Sequence, residues 1–334
     1  MKAINKIVVV GATGAVGGTV LHYLAAKGWP ARDLFCVASS ASRHKTLRYR
    51  DQDVNIIAVE DFDFSCTQLA FFAAGSLVAR NYAQKAVQMG NWVIDKSSCF
   101  RNDPHVPLMI LSVNGALLDK THPCIISVPN CSTIPLAMVL KPIAERYGLT
   151  RVEVATYQAV SGAGAAGSCE LSAQLTAYPA THPPQCFTKP ILNNVIASID
   201  QLSDSGYTLE ELKLHIETRK ILHLPDLIVN ATAVRVPVMQ GHSEAVFIET
   251  KAPVDLPTII ALLNASLHVT LLTMPELPNP LEHATEGGTV WVGRVRQLPG
   301  DSPNRLSLWL VSNNLQRGAA LTAIEIAEAL GAFA

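Results

Sequence analysis

The chain has 334 residues and a formal net charge of −1, and 49% of its residues are hydrophobic whereas only 16% are charged. At about 100–200 residues per domain, this length predicts two domains. The composition excludes a disordered chain and favours a large core with a buried subunit interface. No concentrated basic patch is visible in the sequence, so we expect no nucleic-acid partner.

The sequence also argues against a membrane or secreted protein. Its most apolar stretch, residues 69–79, is shorter than the roughly 20 residues that a spanning helix needs. The N-terminus leads directly into a predicted strand, without the pattern of a signal peptide. Seven cysteines without a C-x-x-C pair do not suggest a disulfide framework, and His and Cys do not cluster at metal-ligand spacing. We therefore expect a reduced, cytoplasmic protein without a metal.

A glycine-rich turn follows the first predicted strand. Residues 6–10 (KIVVV) form a β-branched apolar run, which is typical of a strand buried in a parallel sheet. The run GATGAVG at 11–17 and an amphipathic segment at 18–27 come next. Gly11 and Gly14 would let the backbone approach a pyrophosphate at a helix N-terminus. The pattern predicts a dinucleotide-binding opening; a tight turn in another α/β protein is the alternative.

The segments that follow predict two domains with different patterns of secondary structure. In the first, strands are predicted at 34–38, 54–59, 68–73 and 92–95, with a helix at 81–90, which is a doubly wound pattern. After about Val128, longer strand-like runs favour a mixed or antiparallel sheet; these runs are 151–158, 227–237, 245–250, 289–296 and 305–312. A helix at 318–333 is expected to pack back onto the first domain. The predicted domains are 1–129 with 315–334, which binds the dinucleotide, and 130–314, for catalysis and dimerisation.

Cys131 is the first candidate for chemistry. It lies in the segment PNCSTIP at 129–135, where Ser132 onward is predicted to begin a helix. A cysteine at a helix N-terminus has a lowered pKa and can act as a thiolate nucleophile. The alternative is a small buried hydrophobic residue, as we expect for Cys36 and Cys66.

Four motifs together carry a resemblance to a known family. VVVGATGAVGG, SVPNCSTIPL, ATYQAVSGAGA and ATAVRVPVMQGHSE occur in this order, and the whole chain from about residue 4 resembles aspartate-β-semialdehyde dehydrogenases. The resemblance implies a Rossmann-type dinucleotide-binding domain and an α+β catalytic and dimerisation domain with a mixed sheet. It also implies a homodimer that reduces L-aspartyl-4-phosphate to L-aspartate-4-semialdehyde with NADPH, in lysine, threonine and methionine biosynthesis.

The resemblance assigns roles to individual residues. Cys131 would attack the acyl phosphate, with Asn130 shaping the oxyanion site and Gln158 orienting the substrate. His242 would be the general acid and base, and its ordinary pKa near 6.5 suits that work. The substrate residues it implies are Arg101, Gln158, Glu217, Lys220 and Arg235, of which Arg235 would hold the α-carboxylate, Glu217 the ammonium, and Lys220 with Arg101 the phosphate. On spacing alone, Glu217 and Lys220 would be a solvated helix pair.

The implied cofactor is NADP, with NAD as the alternative. The residues assigned to it are Gly11, Thr13, Gly14, Ala15, Val16, Ser39, Ala41, Ser42, Ser161, Gly162 and Asn314. Relatives usually carry an arginine at the position of Ala41, where it contacts the 2′-phosphate of NADP. Arg43 or Lys45 is expected to reach that phosphate here instead.

Two further departures concern the cofactor side and the dimer. Lys96 replaces the usual asparagine, and Ser112 replaces the usual glutamate. The segment 169–199 is shorter than in relatives, and its proline-rich part at 176–190 is predicted to be a loop.

Two other functions stay open on the sequence alone. An N-acetyl-γ-glutamyl-phosphate reductase shares the glycine turn and the thioester chemistry, although it usually has a P-G-C-[YF]-x-T motif. A glyceraldehyde-phosphate type of dehydrogenase would need an S-C-T-T motif, which is not present. The other alternative is not an enzyme but a non-catalytic paralogue that binds nucleotide. The joint presence of Cys131, Gln158, Arg235 and His242 argues against it.

Overall fold

The computed structural model describes residues 3–177, 183–285 and 287–333. The chain divides into an N-terminal unit, Met1–Asn130 with Ala319–Ala334, and a C-terminal unit, Cys131–Gly318. Each unit contains one sheet. Part of the proline-rich loop predicted at 176–190, namely residues 178–182, lies outside the described residues.

The N-terminal unit is built on a mostly parallel sheet. Its strands are β1 (Ile7–Val10), β2 (Leu34–Ala38), β3 (Thr46–Tyr49), β4 (Gln52–Ala58), β5 (Leu69–Phe72), β6 (Trp92–Asp95) and β7 (Ile125–Ser127). Their order is β3-β4-β2-β1-β5-β6-β7, and only β3 runs antiparallel to its neighbour. All four residues of the central strand β1 are buried, as in a parallel sheet that is covered on both faces. The predicted doubly wound fold is confirmed.

The N-terminal unit places helices around this sheet. They are α1 (Ala15–Ala26), α2 (Ser76–Gln88), α3 (Leu111–Asn114) and, from the C-terminal segment, α9 (Leu321–Ala329). The helix predicted at 81–90 begins earlier, because its N-cap is Gly75, which provides no side-chain signal. The predicted helix at 318–333 is shorter than expected, since a π-helical turn at Gln316–Ala320 precedes it and Gly331, at φ +89°, follows it. α9 packs against α1, α3 and β6 within this unit.

The C-terminal unit has a mixed sheet, as predicted. Its strands are β8 (Leu149–Gln158), β9 (Ile228–Arg235), β10 (His242–Thr250), β11 (Val269–Leu271), β12 (Val290–Arg296) and β13 (Arg305–Ser312). The order is β11-β12-β13-β10-β8-β9, with parallel pairs at both edges and antiparallel pairs between them. One face is buried, whereas the opposite face exposes large side chains, among them Tyr157, Ile228 and Phe247.

The C-terminal unit has five helices in its described residues. They are α4 (Thr133–Tyr147), α5 (Gly164–Thr176), α6 (Leu209–Leu222), α7 (Leu256–Ala265) and α8 (Pro280–His283). α6 packs on β9, α4 packs on β13, and the two helices contact each other. A capping box fixes the start of α6: the Thr208 side chain accepts from the Glu211 N–H, and the Glu211 side chain accepts from the Thr208 N–H.

Across the described parts of the chain, no helix combines the length and the apolar character needed to cross a bilayer.

Candidate active site

Cys131 lies where the chain enters α4. Ser132 is the N-cap and Thr133 the first helical residue, so the cysteine is at the positive end of the helix dipole. Its Sγ lies 3.3 Å from Nε2 of His242, although 111 residues separate the two in sequence. Gly318 approaches the cysteine so closely that a Cβ built there would lie 2.9 Å from the Cys131 Cβ. A helix N-terminus and an imidazole at this distance both favour the thiolate form of a cysteine.

The backbone of Ala159 fixes the orientation of the His242 ring. His242 is the first residue of β10 and is fully buried. The Ala159 N–H donates to Nδ1 over 3.1 Å. Because Nδ1 accepts this bond, the neutral ring carries its proton on Nε2, the nitrogen that faces the Cys131 sulfur. The ring is therefore arranged to donate a proton toward the reacting centre.

Gln158 is held by three oxygen atoms. It is the last residue of β8 and is buried, and its Nε2 lies 2.8 Å from Ser132 Oγ, 3.3 Å from Thr156 Oγ1 and 3.1 Å from Glu210 Oε1. An amide N–H₂ group that faces these acceptors is fixed in one rotamer. The side-chain carbonyl oxygen of Gln158, beside the N-cap of α4, is therefore the end that is available to orient a ligand.

Glu210 was not identified from the sequence. It is a buried residue in the first turn of α6, and besides Gln158 it contacts Lys213 Nζ at 3.1 Å. Although burial lowers the pKa of Lys213, the carboxylates of Glu210 and Asp200 raise it more. A glutamate that follows a Thr208 N-cap normally serves the helix dipole, so the sequence offers no signal that this one turns inward.

Arg235, at the end of β9, is buried beside the same group of residues. Its Nη1 donates to the Ala159 carbonyl over 2.7 Å, and its guanidinium lies over the Phe187 ring, 6.0 Å from the centroid. Burial lowers the pKa of Arg235, whereas the negative charges of Cys131 and Glu210 raise it. A guanidinium remains charged in proteins, so Arg235 brings a fixed positive charge to the cysteine.

The turn at 161–162 packs directly on the His242–Arg235 pair. A Cβ on Gly162 would lie 2.7 Å from Arg235 Nη1 and 3.2 Å from His242 Cε1, so a larger residue would displace one or both of these side chains. Asn314 donates from Nδ2 to Ser161 Oγ over 3.0 Å and accepts from the Gly241 N–H over 2.9 Å. Three of the predicted cofactor residues, Ser161, Gly162 and Asn314, are thus brought together in the C-terminal unit.

Glu217 and Lys220 lie two turns further along α6. Glu217 is 1% exposed and Lys220 is half-buried, which corrects the expectation of a solvated surface pair from spacing alone. Glu217 follows Glu210 by seven residues, so both carboxylates lie on one face of the helix. Their roles toward a substrate stay predictions.

The predicted glycine turn forms a cradle in the N-terminal unit. Gly11 has φ +89°, and a Cβ there would lie 2.7 Å from backbone atoms of Ala73 and Ala74. Gly14 is the N-cap of α1, which begins Ala15-Val16. The turn borders a cavity of about 270 Å³ that is also lined by Thr13 and Ser39. Bare backbone at a helix N-terminus suits the pyrophosphate of a dinucleotide, so the residues present fit this cofactor.

The segment after β2 contains the residues expected near the 2′-phosphate of NADP. Ser40–Ser42 form a short 3₁₀ turn in which Ala41 is exposed and Ser42 half-buried. Of the two residues expected at the 2′-phosphate, Arg43 forms an ion pair with Asp61, and Lys45 is exposed.

Lys96 organises the segment that leads to Asn130. Its Nζ donates to the Pro129 carbonyl over 2.8 Å, and its own carbonyl accepts from Arg101 Nη2 over 2.7 Å. Arg101 and Asn130 are both buried. The lysine thus has a positioning contact one residue before Asn130, which the sequence did not suggest.

No group of three or more metal-ligating side chains is present in residues 3–177, 183–285 and 287–333. None of the seven cysteines, all within these ranges, forms a disulfide.

Two family models cover most of the chain. The model described as "Semialdehyde dehydrogenase, NAD binding domain" matches residues 6–121, and "Semialdehyde dehydrogenase, dimerisation domain" matches residues 140–317. The first match contains the glycine cradle, whereas the second contains Gln158, Arg235 and His242.

Individual relatives agree with these models. An aspartate-semialdehyde dehydrogenase from Legionella pneumophila is 43% identical over 97% of this chain and 95% of its own length. The crystal structure of aspartate semialdehyde dehydrogenase II from Vibrio cholerae has a TM-score of 0.93 at 40% identity, covering 99% of both chains, and its complex with ASA has a TM-score of 0.92. A Candida albicans aspartate semialdehyde dehydrogenase solved with NADP shares the fold, with a TM-score of 0.78 at 24% identity over 99% of both chains. This chain belongs to the aspartate-semialdehyde dehydrogenase family.

Proposed function

We propose that this protein interconverts L-aspartyl-4-phosphate and L-aspartate-4-semialdehyde through a thioester on Cys131. The observation that carries the proposal is the Cys131–His242 contact at the N-terminus of α4, with the charged Arg235 beside it. A nucleophile, a proton donor and a fixed cation in one group suit acyl transfer to a thiol. The relatives named above favour this substrate over an N-acetylglutamyl phosphate.

The reaction begins with the Cys131 thiolate. Its sulfur attacks the acyl carbon of the substrate, a C–S bond forms, the C–O bond to phosphate breaks, and phosphate leaves. The Asn130 amide is proposed to stabilise the oxyanion of this step. Covalent capture divides one displacement and reduction into two easier steps.

The second half returns the cysteine to its starting state. When bound, the nicotinamide supplies a hydride to the thioester carbon; NADP is the expected carrier, with NAD as the alternative. His242 shares its Nε2 proton with the developing oxygen anion through a hydrogen bond and keeps it when the anion collapses to the aldehyde and the C–S bond breaks. The semialdehyde leaves and Cys131 is again a thiolate, so atoms and charges balance.

The substrate carries charges of both signs, and the residues proposed to bind it do as well. Arg235 has five N–H donors, of which Nη1 serves Ala159, and it is proposed to hold the α-carboxylate. Glu217 is proposed to face the ammonium, and Lys220 with Arg101 the phosphate. Gln158, fixed through Glu210, is proposed to orient the acyl group.

We also propose a homodimer formed through the open face of the mixed sheet. The dimerisation family model covers this sheet. On this face, Tyr157 and Trp309 pack with ring centroids 5.4 Å apart, and Phe247 is 48% exposed. Contiguous exposed aromatic surface of this kind is typical of an interface. Phe247→Asp should yield a monomer in analytical ultracentrifugation, whereas Leu117→Asp, on the N-terminal unit, should stay dimeric; a dimeric Phe247→Asp would contradict this face.

A thiolate mechanism requires Cys131 to stay reduced, which suits a cytoplasmic location. This location is part of the proposal.

The test of the function is phosphate-dependent reduction of NADP⁺ and NAD⁺ with L-aspartate-4-semialdehyde, measured by near-ultraviolet absorbance. N-acetylglutamate semialdehyde serves as the competing substrate. We expect turnover only when phosphate is present, with a preference for the aspartyl substrate. Preference for the acetylated substrate, or nucleotide binding without any turnover in reduced protein, would contradict the proposal.

A further inference from the structure

Phe187 packs against the Arg235 guanidinium. The Arg235 Cζ atom lies over the Phe187 ring, 6.0 Å from the ring centroid, and Nη1 donates to the Ala159 carbonyl over 2.7 Å. A guanidinium is attracted electrostatically to the face of an aromatic ring and stacks well on it. The ring and the carbonyl together therefore limit the orientations that this guanidinium can adopt.

The Phe187 ring is itself closely packed. It is half-buried against a small core cluster of Val160, Leu171 and Ile191. A Cβ built on Gly167 would lie only 3.1 Å from Phe187 Cζ, so the ring occupies space that a side chain on α5 would fill. Close packing of this kind leaves an aromatic ring little freedom to move.

Two side chains of α5 hold the backbone on either side of Phe187. Glu170 accepts hydrogen bonds from the N–H groups of residues 185–186, one of them over 2.8 Å. The buried Gln174 accepts from the N–H groups of residues 191–192, over 3.0 and 2.8 Å, and donates to Glu170 over 3.1 Å. Because the two side chains are four residues apart, they lie on the same face of α5. They form a clamp that fixes the position of Phe187.

The segment that follows pairs with the backbone of the same arginine. Ile196 and Arg235 exchange two N–H···O=C hydrogen bonds, of 3.0 and 2.8 Å. Arg235 is thus held by this part of the chain at its backbone as well as at its guanidinium. An arginine binds a carboxylate best when two parallel N–H groups meet both oxygens in one plane. A rotated guanidinium would lose this match.

We propose that Phe187 is a positioning residue for substrate recognition: it fixes the plane of the Arg235 guanidinium so that two parallel N–H groups face the α-carboxylate of the semialdehyde. The inference rests on the proposed function, in which Arg235 binds that carboxylate. Recognition of this carboxylate then depends on the clamped loop at 185–192 as well as on the arginine.

The test compares two substitutions of the ring. Phe187→Leu keeps an apolar side chain but removes the aromatic face, whereas Phe187→Tyr keeps that face. Phe187→Leu should raise the KM for L-aspartate-4-semialdehyde about fivefold to tenfold, while kcat and the KM for phosphate change less than about twofold. Phe187→Tyr should stay within about twofold of the original protein in all three constants.

Glu170→Ala tests the clamp. Without the carboxylate, the N–H groups at 185–186 lose their acceptor, so the ring is held less firmly. The KM for the semialdehyde should then rise about twofold to fivefold. When Glu170→Ala is combined with Phe187→Leu, the KM should be no higher than in Phe187→Leu alone, because the clamp acts through the ring. Independent, multiplying effects of the two substitutions would contradict this coupling.

Leu192→Ala is the matched control for lost packing. Leu192 packs on the same core cluster as Phe187, and the substitution keeps the backbone N–H that donates to Gln174. The variant should have a lower melting temperature, as Phe187→Leu should, but an unchanged KM for the semialdehyde. An equal rise in KM in both variants would show that Phe187 acts only through packing and would overturn the proposal.

The positioning role and the proposed function fail in different ways. The positioning role is wrong if Phe187→Leu leaves the KM for the semialdehyde unchanged, raises the KM for phosphate equally, or is matched in its loss by Phe187→Tyr. In each of these cases, phosphate-dependent turnover by the original protein still supports the function. If the original protein does not turn over the semialdehyde, both are contradicted.

Discussion

The two units of this protein prepare their sites by different means. In the N-terminal unit the cradle is made of backbone: Gly11 stands at φ +89°, and no Cβ fits between it and Ala73. In the C-terminal unit the site is made of side chains: Cys131 contacts His242, and Gln158 donates to Ser132, the residue after the cysteine. A methyl group should therefore damage the first site, whereas loss of one functional atom should damage the second.

This difference explains why the two sites differ in how readily a sequence shows them. A backbone cradle needs closely spaced glycines between a strand and a helix, so it is visible as a short local motif. A side-chain group is assembled by the topology of the sheet. His242, the first residue of β10, and Cys131, just before the N-cap of α4, have no local pattern in common, and only the fold brings their side chains to 3.3 Å.

The largest expected effect is the loss of the sulfur. Cys131→Ser should lower turnover by at least about 10³-fold, because a hydroxyl is a far weaker nucleophile than a thiolate. Steady-state rates check this, and NADPH titration should show that nucleotide binding is unchanged. Cys169→Ser, which removes an exposed cysteine from the same unit, is the control. Substantial activity in Cys131→Ser would exclude the thioester route.

The next effect concerns the proton donor. His242→Asn should lower turnover by roughly 10²- to 10⁴-fold and flatten the pH–rate profile between about pH 5 and 8, because asparagine cannot donate or accept a proton there. Asn can still accept the Ala159 N–H, so we expect the fold to survive. His22→Asn changes an exposed histidine of the other unit and should leave the profile intact. A profile that keeps its original shape in His242→Asn would refute the acid–base role.

The backbone cradle is tested by adding one methyl group. Gly11→Ala should weaken NADPH binding by at least about tenfold and lower stability by about 1–3 kcal/mol, since its Cβ would clash with Ala73 in a strained backbone. Gly28→Ala is a matched control: Gly28 has φ +79°, but its Cβ would meet no atom within 4 Å. Both variants introduce backbone strain, but only Gly11→Ala introduces a steric clash. Comparing the two variants by binding titration and by thermal unfolding therefore separates the effect of the strain from that of the clash. Equal losses of nucleotide affinity in both variants would contradict the close-approach argument.

A smaller effect is expected at Glu210. Glu210→Gln keeps the shape of the side chain but replaces a charge-assisted hydrogen bond to Gln158 with a neutral one, a difference of about 1 kcal/mol. Turnover should fall roughly fivefold to tenfold, with a larger change in kcat than in KM. Glu145→Gln removes an exposed carboxylate of the same unit and should have no effect. An equal change in both variants would show that only net charge matters.

The smallest expected effect is on the pH dependence of stability. Glu244 is fully buried on β10, and among the described residues neither of its carboxyl oxygens has a hydrogen-bond partner. Burial raises the pKa of Glu244 well above 4.5, so this carboxyl supports the fold fully below that pH and less as the pH rises through the raised value. Glu244→Gln should remove this pH dependence. Between pH 5 and pH 8, the unfolding free energy of the variant, measured with urea, should therefore rise relative to that of the original protein. Parallel pH curves for the two proteins would contradict a raised pKa.

Much of the fold was predictable, because apolar runs mark the buried strands. The strands around β1 and β10 were found in this way, whereas β3 was missed since Thr46 and Arg48 are exposed and polar at the sheet edge. Cys131 was suggested by its helix position. His242 was assigned only by resemblance, since nothing local distinguishes it from nine other histidines.

Glu210 could not be predicted at all. Its contact with Gln158 spans 52 residues and depends on how α6 packs on the sheet. The pairing of Arg43 with Asp61 is a similar case, because it joins two segments that only the β3–β4 hairpin brings together. Local sequence patterns therefore located the glycine cradle and the cysteine. The contacts of Glu210 and of the Arg43–Asp61 pair could be identified only from the fold.

The most direct test of the central claim is a single-turnover experiment without phosphate. L-aspartate-4-semialdehyde and oxidised nucleotide are mixed with the reduced protein, absorbance is followed, and the protein is then analysed by mass spectrometry. We predict a burst of about one reduced nucleotide per subunit that stops until phosphate is added, with an aspartyl group on Cys131. Steady turnover without phosphate, or a burst whose acyl group lies on another residue, would contradict the account.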